Sequence, residues 1–87
     1  MGKPAGGKKW GVTMATPQSI GERAAYAIRE RAKQNGRHVL EEAEEVFVSK
    51  RVLWAWQTGQ FDPRAYFLQE MALAGYDIYW ILTGKEK

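Results

Sequence analysis

The sequence predicts an all-α fold, five short helices around one core. Apolar residues recur at the three- and four-residue spacing of helices in each segment after residue 16, and no segment keeps the two-residue period of a strand. Capping residues and glycines bracket those segments. The chain has 87 residues, 45% of them hydrophobic, which suffices for one small core and excludes a second folded domain.

The first helix opens at Thr16-Pro17 or at Ser19, where Glu22 three residues on completes a capping-box pattern. Ile20, Ala24, Ala27 and Ile28 form its inner stripe, and Asn35-Gly36 stops it. The second helix is expected near residues 38–47. Val39, Leu40, Ala43, Val46 and Phe47 fall in one arc of about 120°, with Glu41, Glu42, Glu44 and Glu45 opposite. The third helix is expected near residues 49–58, with Ser49 as N-cap and Gly59 as stop. Val52, Leu53 and Trp56 face the core, while Lys50, Arg51, Trp54, Ala55 and Thr58 share the outer face. Asp62-Pro63 opens the fourth helix, with Pro in its first turn, Phe67, Leu68, Met71 and Ala72 inward, and Gly75 at its end. Asp77 caps a fifth helix that turns Ile78, Ile81 and Leu82 inward and stops at Thr83-Gly84.

Ahead of these lies a stretch of Gly and Lys without periodicity, read as a flexible basic arm over residues 1–15, with the folded domain at 16–87. That arm is either a plain tail or a segment that lies along nucleic acid. Net charge is +3, which permits an anionic partner without requiring one. The sign changes along the chain: residues 17–37 carry Arg23, Arg29, Arg31, Lys33 and Arg37 against two acids, residues 38–48 carry only the four glutamates, and residues 49–64 are basic again. The basic residues of the first helix either reach a nucleic-acid backbone or form a solvated, internally paired face.

There is no cysteine and one histidine, His38. Disulfides, thiolate metal sites and cysteine nucleophiles are therefore excluded, and His38 reads as a residue that starts the second helix. No nucleophile–base pair stands out, so no catalysis, cofactor or metal is expected. No apolar run approaches the length of a membrane span, and the N-terminus lacks the apolar segment of a secretory signal. A cytoplasmic protein without a membrane partner is expected.

The stretch VSKRVLWAWQTG, residues 48–59, resembles the turn and recognition helix of lambda-repressor-like (phage repressor and Cro-type) helix-turn-helix domains. The shared positions are Val48, Ser49, Leu53, Trp56 and Gly59. Residues 62–86 are similar to the last two helices of that family, through Asp77, Trp80, Leu82, Thr83 and Gly84, and SIGERAAYAIRERAKQNG is similar to its first. The likeness covers roughly residues 19–86. Three positions depart from the pattern. Phe47 stands where the tight turn usually carries Gly, and a bulky residue at positive φ is strained, which leaves room for a different turn. Glu42 stands at a usually apolar position, and Val39 where a polar residue often lies near the DNA backbone.

The resemblance implies a sequence-specific regulator of double-stranded DNA that places the third helix in the major groove. The candidate DNA-binding residues are Ser49, Lys50, Arg51, Trp54, Ala55 and Thr58. Arg51 suits guanine O6 and N7, Lys50 a base or a phosphate, Ser49 and Thr58 phosphate oxygens. Trp54 or Ala55 can meet a thymine methyl, although an exposed Trp is equally an interface anchor. Such modules usually act as homodimers, and Tyr66, Leu73, Tyr76, Tyr79 and Trp80 offer apolar surface for a two-fold contact or for the core. The alternative is a protein-interaction module, an antitoxin or phage-encoded inhibitor or adaptor, that docks a basic protein partner through the acidic second helix and Trp54. The acidic face is otherwise a solvated one.

Overall fold

The computed structural model describes Pro17 and residues 19–86. Among these residues the protein is all-α: α1 Ile20–Asn35, α2 Val39–Glu44, α3 Lys50–Gln57, α4 Ala65–Leu73 and α5 Ile78–Thr83, with no strand. The expected basic arm and the Thr16 alternative for the first cap lie outside the described residues.

α1 is the central helix, packed against α2, α3 and α5. Its N-terminus is the predicted capping box: Ser19 Oγ accepts from the Glu22 amide at 3.0 Å, and Glu22 Oε1 accepts from the Ser19 amide at 2.9 Å. Ala24, Ala25 and Ile28 are buried with Ala43, Val46, Val48, Leu53, Trp56, Met71, Tyr76 and Ile81 in one core. The small alanines allow close helix packing. Gly21 goes further, because a Cβ there would strike the Phe61 carbonyl and come within 3.2 Å of the Trp56 backbone. α1 thereby sits directly on the end of α3.

Two arginines of α1 fix the far end of the fold. Arg23 Nε donates to the Ile81 carbonyl at 2.8 Å and its Nη2 to that of Leu82 at 3.2 Å. Arg31 Nη1 donates to the Ala74 carbonyl at 2.6 Å, and its guanidinium stacks 3.7 Å from the centre of the Tyr76 ring. Carbonyls at the ends of α4 and α5 have no partner within their own helix, and cations there also meet the negative end of the helix dipole.

The structure corrects several expectations. α2 ends at Glu44, so Phe47 belongs to the following turn and is 61% exposed rather than part of an inner arc. The turn nonetheless keeps the left-handed step at this position, φ +63°. Val48 N donates to the Ala43 carbonyl and Phe47 N to that of Glu44, at 3.0 Å each. This paired closure, a Schellman motif, also ends α1, α3 and α4, where glycine holds the left-handed place. Glu42 is 4% exposed, not on the outer face. Asn35 Nδ2 donates to its Oε2 at 3.2 Å, and Arg37 Nη1 lies 3.5 Å from its Oε1. Glu42 is buried beside Ala43, and these two partners make its burial tolerable.

α4 begins at Ala65, because Pro63 is buried ahead of it and Arg64, with extended backbone, takes the N-cap. Asp62 therefore does not open α4. Its Oδ1 accepts instead from the Gly21 amide at 2.9 Å, capping α1. Ala72 and Leu82 are exposed, since only one flank of α4 and α5 is covered. Of the residues considered for a two-fold contact, Tyr76 is buried and Trp80 half-buried against the Tyr26 ring, whereas Tyr66, Leu73 and Tyr79 remain exposed.

Candidate nucleic-acid interface

The candidate interface is built on α3. Ser49 Oγ accepts from the Val52 amide at 3.2 Å, which fixes the start of the helix. That bond uses a lone pair of the hydroxyl and leaves its proton for an acceptor outside. Leu53 and Trp56 are buried and Val52 is half-buried, so the rotation of the helix is set. Trp56 is held in turn by an edge-to-face contact with Phe67 at 5.5 Å. The opposite side then presents Lys50, Arg51, Trp54 and Thr58 to solvent on a rigid support.

Lys50 and Arg51 occupy the first turn of α3, which contains no acid. Cations there face the positive end of the helix dipole, an arrangement that costs helix stability but strengthens the field offered to an anion. Among the described residues neither has an ion-pair partner. Trp54 is 58% exposed at the middle of this face. Its ring borders an open, mainly apolar groove shared with His38, Val39, Leu40, Lys50 and Leu53, between the start of α2 and the outer side of α3.

Two candidates are placed less favourably. Ala55 is 7% exposed, so it does not share the outer face. It sits at the flank of α3, where the chain leaving the helix folds back and the Gln60 amide donates to the Ala55 carbonyl at 2.9 Å. Thr58 is exposed, but its hydroxyl donates to the Trp54 carbonyl at 2.9 Å and accepts from Gln60 Nε2 at 3.1 Å. It must give up the first bond to donate to a ligand.

Arg64 was missed in the sequence. It caps α4, is exposed, has no ion-pair partner among the described residues, and lines one groove with Arg51, Phe61 and Asp62. α4 has no side-chain cap and no acid in its first turn. The only sequence signal was a cation beside Asp62-Pro63, which is uninformative until the connection is seen to return beside α3.

The basic residues of α1 and of its exit behave differently. Arg23 and Arg31 hold carbonyls at the ends of α4 and α5. Lys33 pairs with Glu30 at 3.4 Å. Arg37 faces Glu41 at 4.0 Å, Glu42 at 3.5 Å and Glu45 at 3.3 Å. The hydrogen bond to Glu45 leads the interactions that hold the Arg37 guanidinium above its ordinary pKa. Arg37 is thus shared among Glu41, Glu42 and Glu45, and the acidic side of α2 keeps a net negative charge. His38 starts α2, its Nδ1 accepting from the Leu40 amide at 3.1 Å while Glu41 Oε1 accepts from the His38 amide at 3.2 Å.

Among the described residues no group of three His, Cys, Asp or Glu side chains could hold a metal ion, and no helix is long and apolar enough to cross a membrane. No family model, no curated protein and no solved structure matches this chain.

Proposed function

We propose that the protein is a sequence-specific, double-stranded DNA-binding transcription regulator of the lambda-repressor-like helix-turn-helix type. It acts in the cytoplasm, without catalysis, by occupying an operator and excluding polymerase. One observation carries this reading. Arg23 and Arg31 of α1 hold carbonyls of the fold and Lys33 pairs with Glu30 at the surface, while Lys50, Arg51 and Arg64 stand exposed without an ion-pair partner among the described residues around one side of α3. That is the arrangement a helix needs to enter a major groove, with base-edge donors on the helix and a phosphate donor on the flanking connection. Arg51 reads guanine, Lys50 a base or phosphate, and Ser49 and Arg64 grip the backbone. A homodimer on two half-sites is the working form, with Leu73 and Tyr79 as exposed apolar surface for the contact.

Selection from a random duplex library at about 0.1–0.15 M salt tests the reading, because backbone contacts make affinity fall steeply with salt. Enrichment of a two-fold symmetric site supports it. No enrichment from folded protein overturns it.

A second reading, a protein-interaction module on the same scaffold, is favoured by one feature. Phe47 is exposed at positive φ and its ring meets that of exposed Tyr66 at 6.4 Å. The inward turn of Glu42 and the pairing of Glu41 and Glu45 with Arg37 count against the acidic helix as its docking face. Failure of the selection, with the protein folded, turns attention to this aromatic pair.

A further inference from the structure

Trp54 is the one large apolar side chain on a face otherwise made of Ser49, Lys50, Arg51 and Thr58, and its exposure is 58%. The core does not use it, since Leu53, Ala55 and Trp56 are the buried members of α3. Lys50 lies one turn before it and Thr58 one turn after, so the indole is at the centre of the surface and not at its rim. The Thr58 hydroxyl bonds the Trp54 carbonyl at 2.9 Å, which adds a tie to the backbone carrying the ring. Behind the ring lies the groove whose apolar members are Val39, Leu40 and Leu53.

A base-pair edge in the major groove offers donors, acceptors and a single kind of apolar group, the C5-methyl of a pyrimidine. An indole placed between Lys50 and Thr58 on this face has no other apolar group of a base-pair edge to bury against. We propose that Trp54 determines specificity by packing on a C5-methyl group of duplex DNA, thymine in ordinary DNA or 5-methylcytosine in modified DNA, next to the base that Arg51 reads. This rests on the DNA-binding reading above. It adds to that reading an apolar step in the recognition code, one that the unpaired cations alone would not produce.

The test uses the full chain and the duplex obtained by selection. Each thymine of a half-site is replaced singly by deoxyuridine, which removes the methyl and leaves every hydrogen-bonding group in place. One position is expected to weaken binding by about three- to fivefold, the factor for one lost buried methyl. Trp54→Ala, which the exposure of the side chain makes tolerable to the fold, should bind the thymine and deoxyuridine duplexes equally, and Trp54→Phe should keep part of the difference. In a second arm each cytosine is replaced by 5-methylcytosine. Tighter binding of the wild type at one position, abolished in Trp54→Ala, assigns the methyl to modified cytosine. If both series leave the wild type unchanged while it still binds the selected duplex, the methyl contact is wrong and the DNA-binding reading stands. A methyl effect that persists in Trp54→Ala also overturns the assignment. If no duplex binds at any salt, it is the underlying reading that fails, and Trp54 is then better explained as an anchor for a protein partner.

Discussion

Asp62 accepts a hydrogen bond at 2.9 Å from the Gly21 amide, 41 residues earlier in the chain. Ser19 satisfies the Glu22 amide at the same helix end, so a residue expected to start α4 completes the cap of α1. The bond also ties the connection that carries Phe61 and Arg64 to the central helix. Asp62→Ala should cost about 1 kcal/mol, the usual value of a cap, and lower Tm by about 4–8 °C in a domain of this size. Gly21→Ala should cost more, about 2 kcal/mol, although alanine is the better helix former. Its Cβ would strike the Phe61 carbonyl and crowd the Trp56 backbone. Thermal unfolding followed by circular dichroism checks both, and a raised Tm for Gly21→Ala would show that the contact between α1 and α3 is looser than described.

Phe47 repeats at the end of α2 the left-handed position that Gly36, Gly59 and Gly75 fill at the ends of α1, α3 and α4. An L-residue there costs about 1–2 kcal/mol, and at 61% exposure the ring recovers little by burial. Phe47→Gly should therefore stabilise the protein by about 1 kcal/mol, read as an increase in the denaturant midpoint at constant m-value. A lower midpoint would mean that the contact with Tyr66 outweighs the strain.

These same positions show what could be read from the sequence. The three glycines, the Ser19–Glu22 pair and the Asp77 cap are local signals, set by residues within one turn of one another. They located four of the five helices to within a few residues. Glu42, Asp62 and Ala55 are placed by chain outside their own helix: Asn35 and Arg37, just before α2, partner Glu42, the connection after α3 bonds back to the Ala55 carbonyl, and Gly21, 41 residues away, meets Asp62. The outer face of α3 was legible because helical period alone separates Lys50, Arg51 and Trp54 from Leu53 and Trp56. Arg64 was not, because only tertiary folding brings it to the groove lined by Arg51.

Tyr76 predicts an alkaline limit to stability. Burial pushes its phenol up to about 12, and the Arg31 guanidinium over the ring opposes that shift without cancelling it. The unfolded chain ionises this group near pH 10. The contribution of the buried neutral phenol is therefore fully present below about pH 10 and is lost as pH rises towards about 12. Over that window the protein should lose on the order of 2–3 kcal/mol. Tyr76→Phe should flatten stability across the same window and remove the tyrosinate absorbance that the wild type gains towards its upper end. Unchanged stability and absorbance there in Tyr76→Phe would contradict the burial effect.

Arg51 and Arg64 should separate from Arg31 when stability and DNA binding are measured side by side. Arg31 holds the Ala74 carbonyl at 2.6 Å and stacks on Tyr76, so Arg31→Ala should lower Tm yet leave the affinity and salt slope of the remaining folded protein unchanged. Arg64→Ala should leave Tm nearly unchanged, weaken binding to all duplexes alike, and reduce the salt slope by about one, as expected for a lost phosphate contact. Arg51→Ala should instead relax preference at one base pair, by about 1–3 kcal/mol of discrimination. The three outcomes follow from where each guanidinium is engaged, one inside the fold and two outside it. The reverse pattern, with the salt slope lost in Arg31→Ala and kept in Arg51→Ala and Arg64→Ala, would move the nucleic-acid surface from α3 to α1.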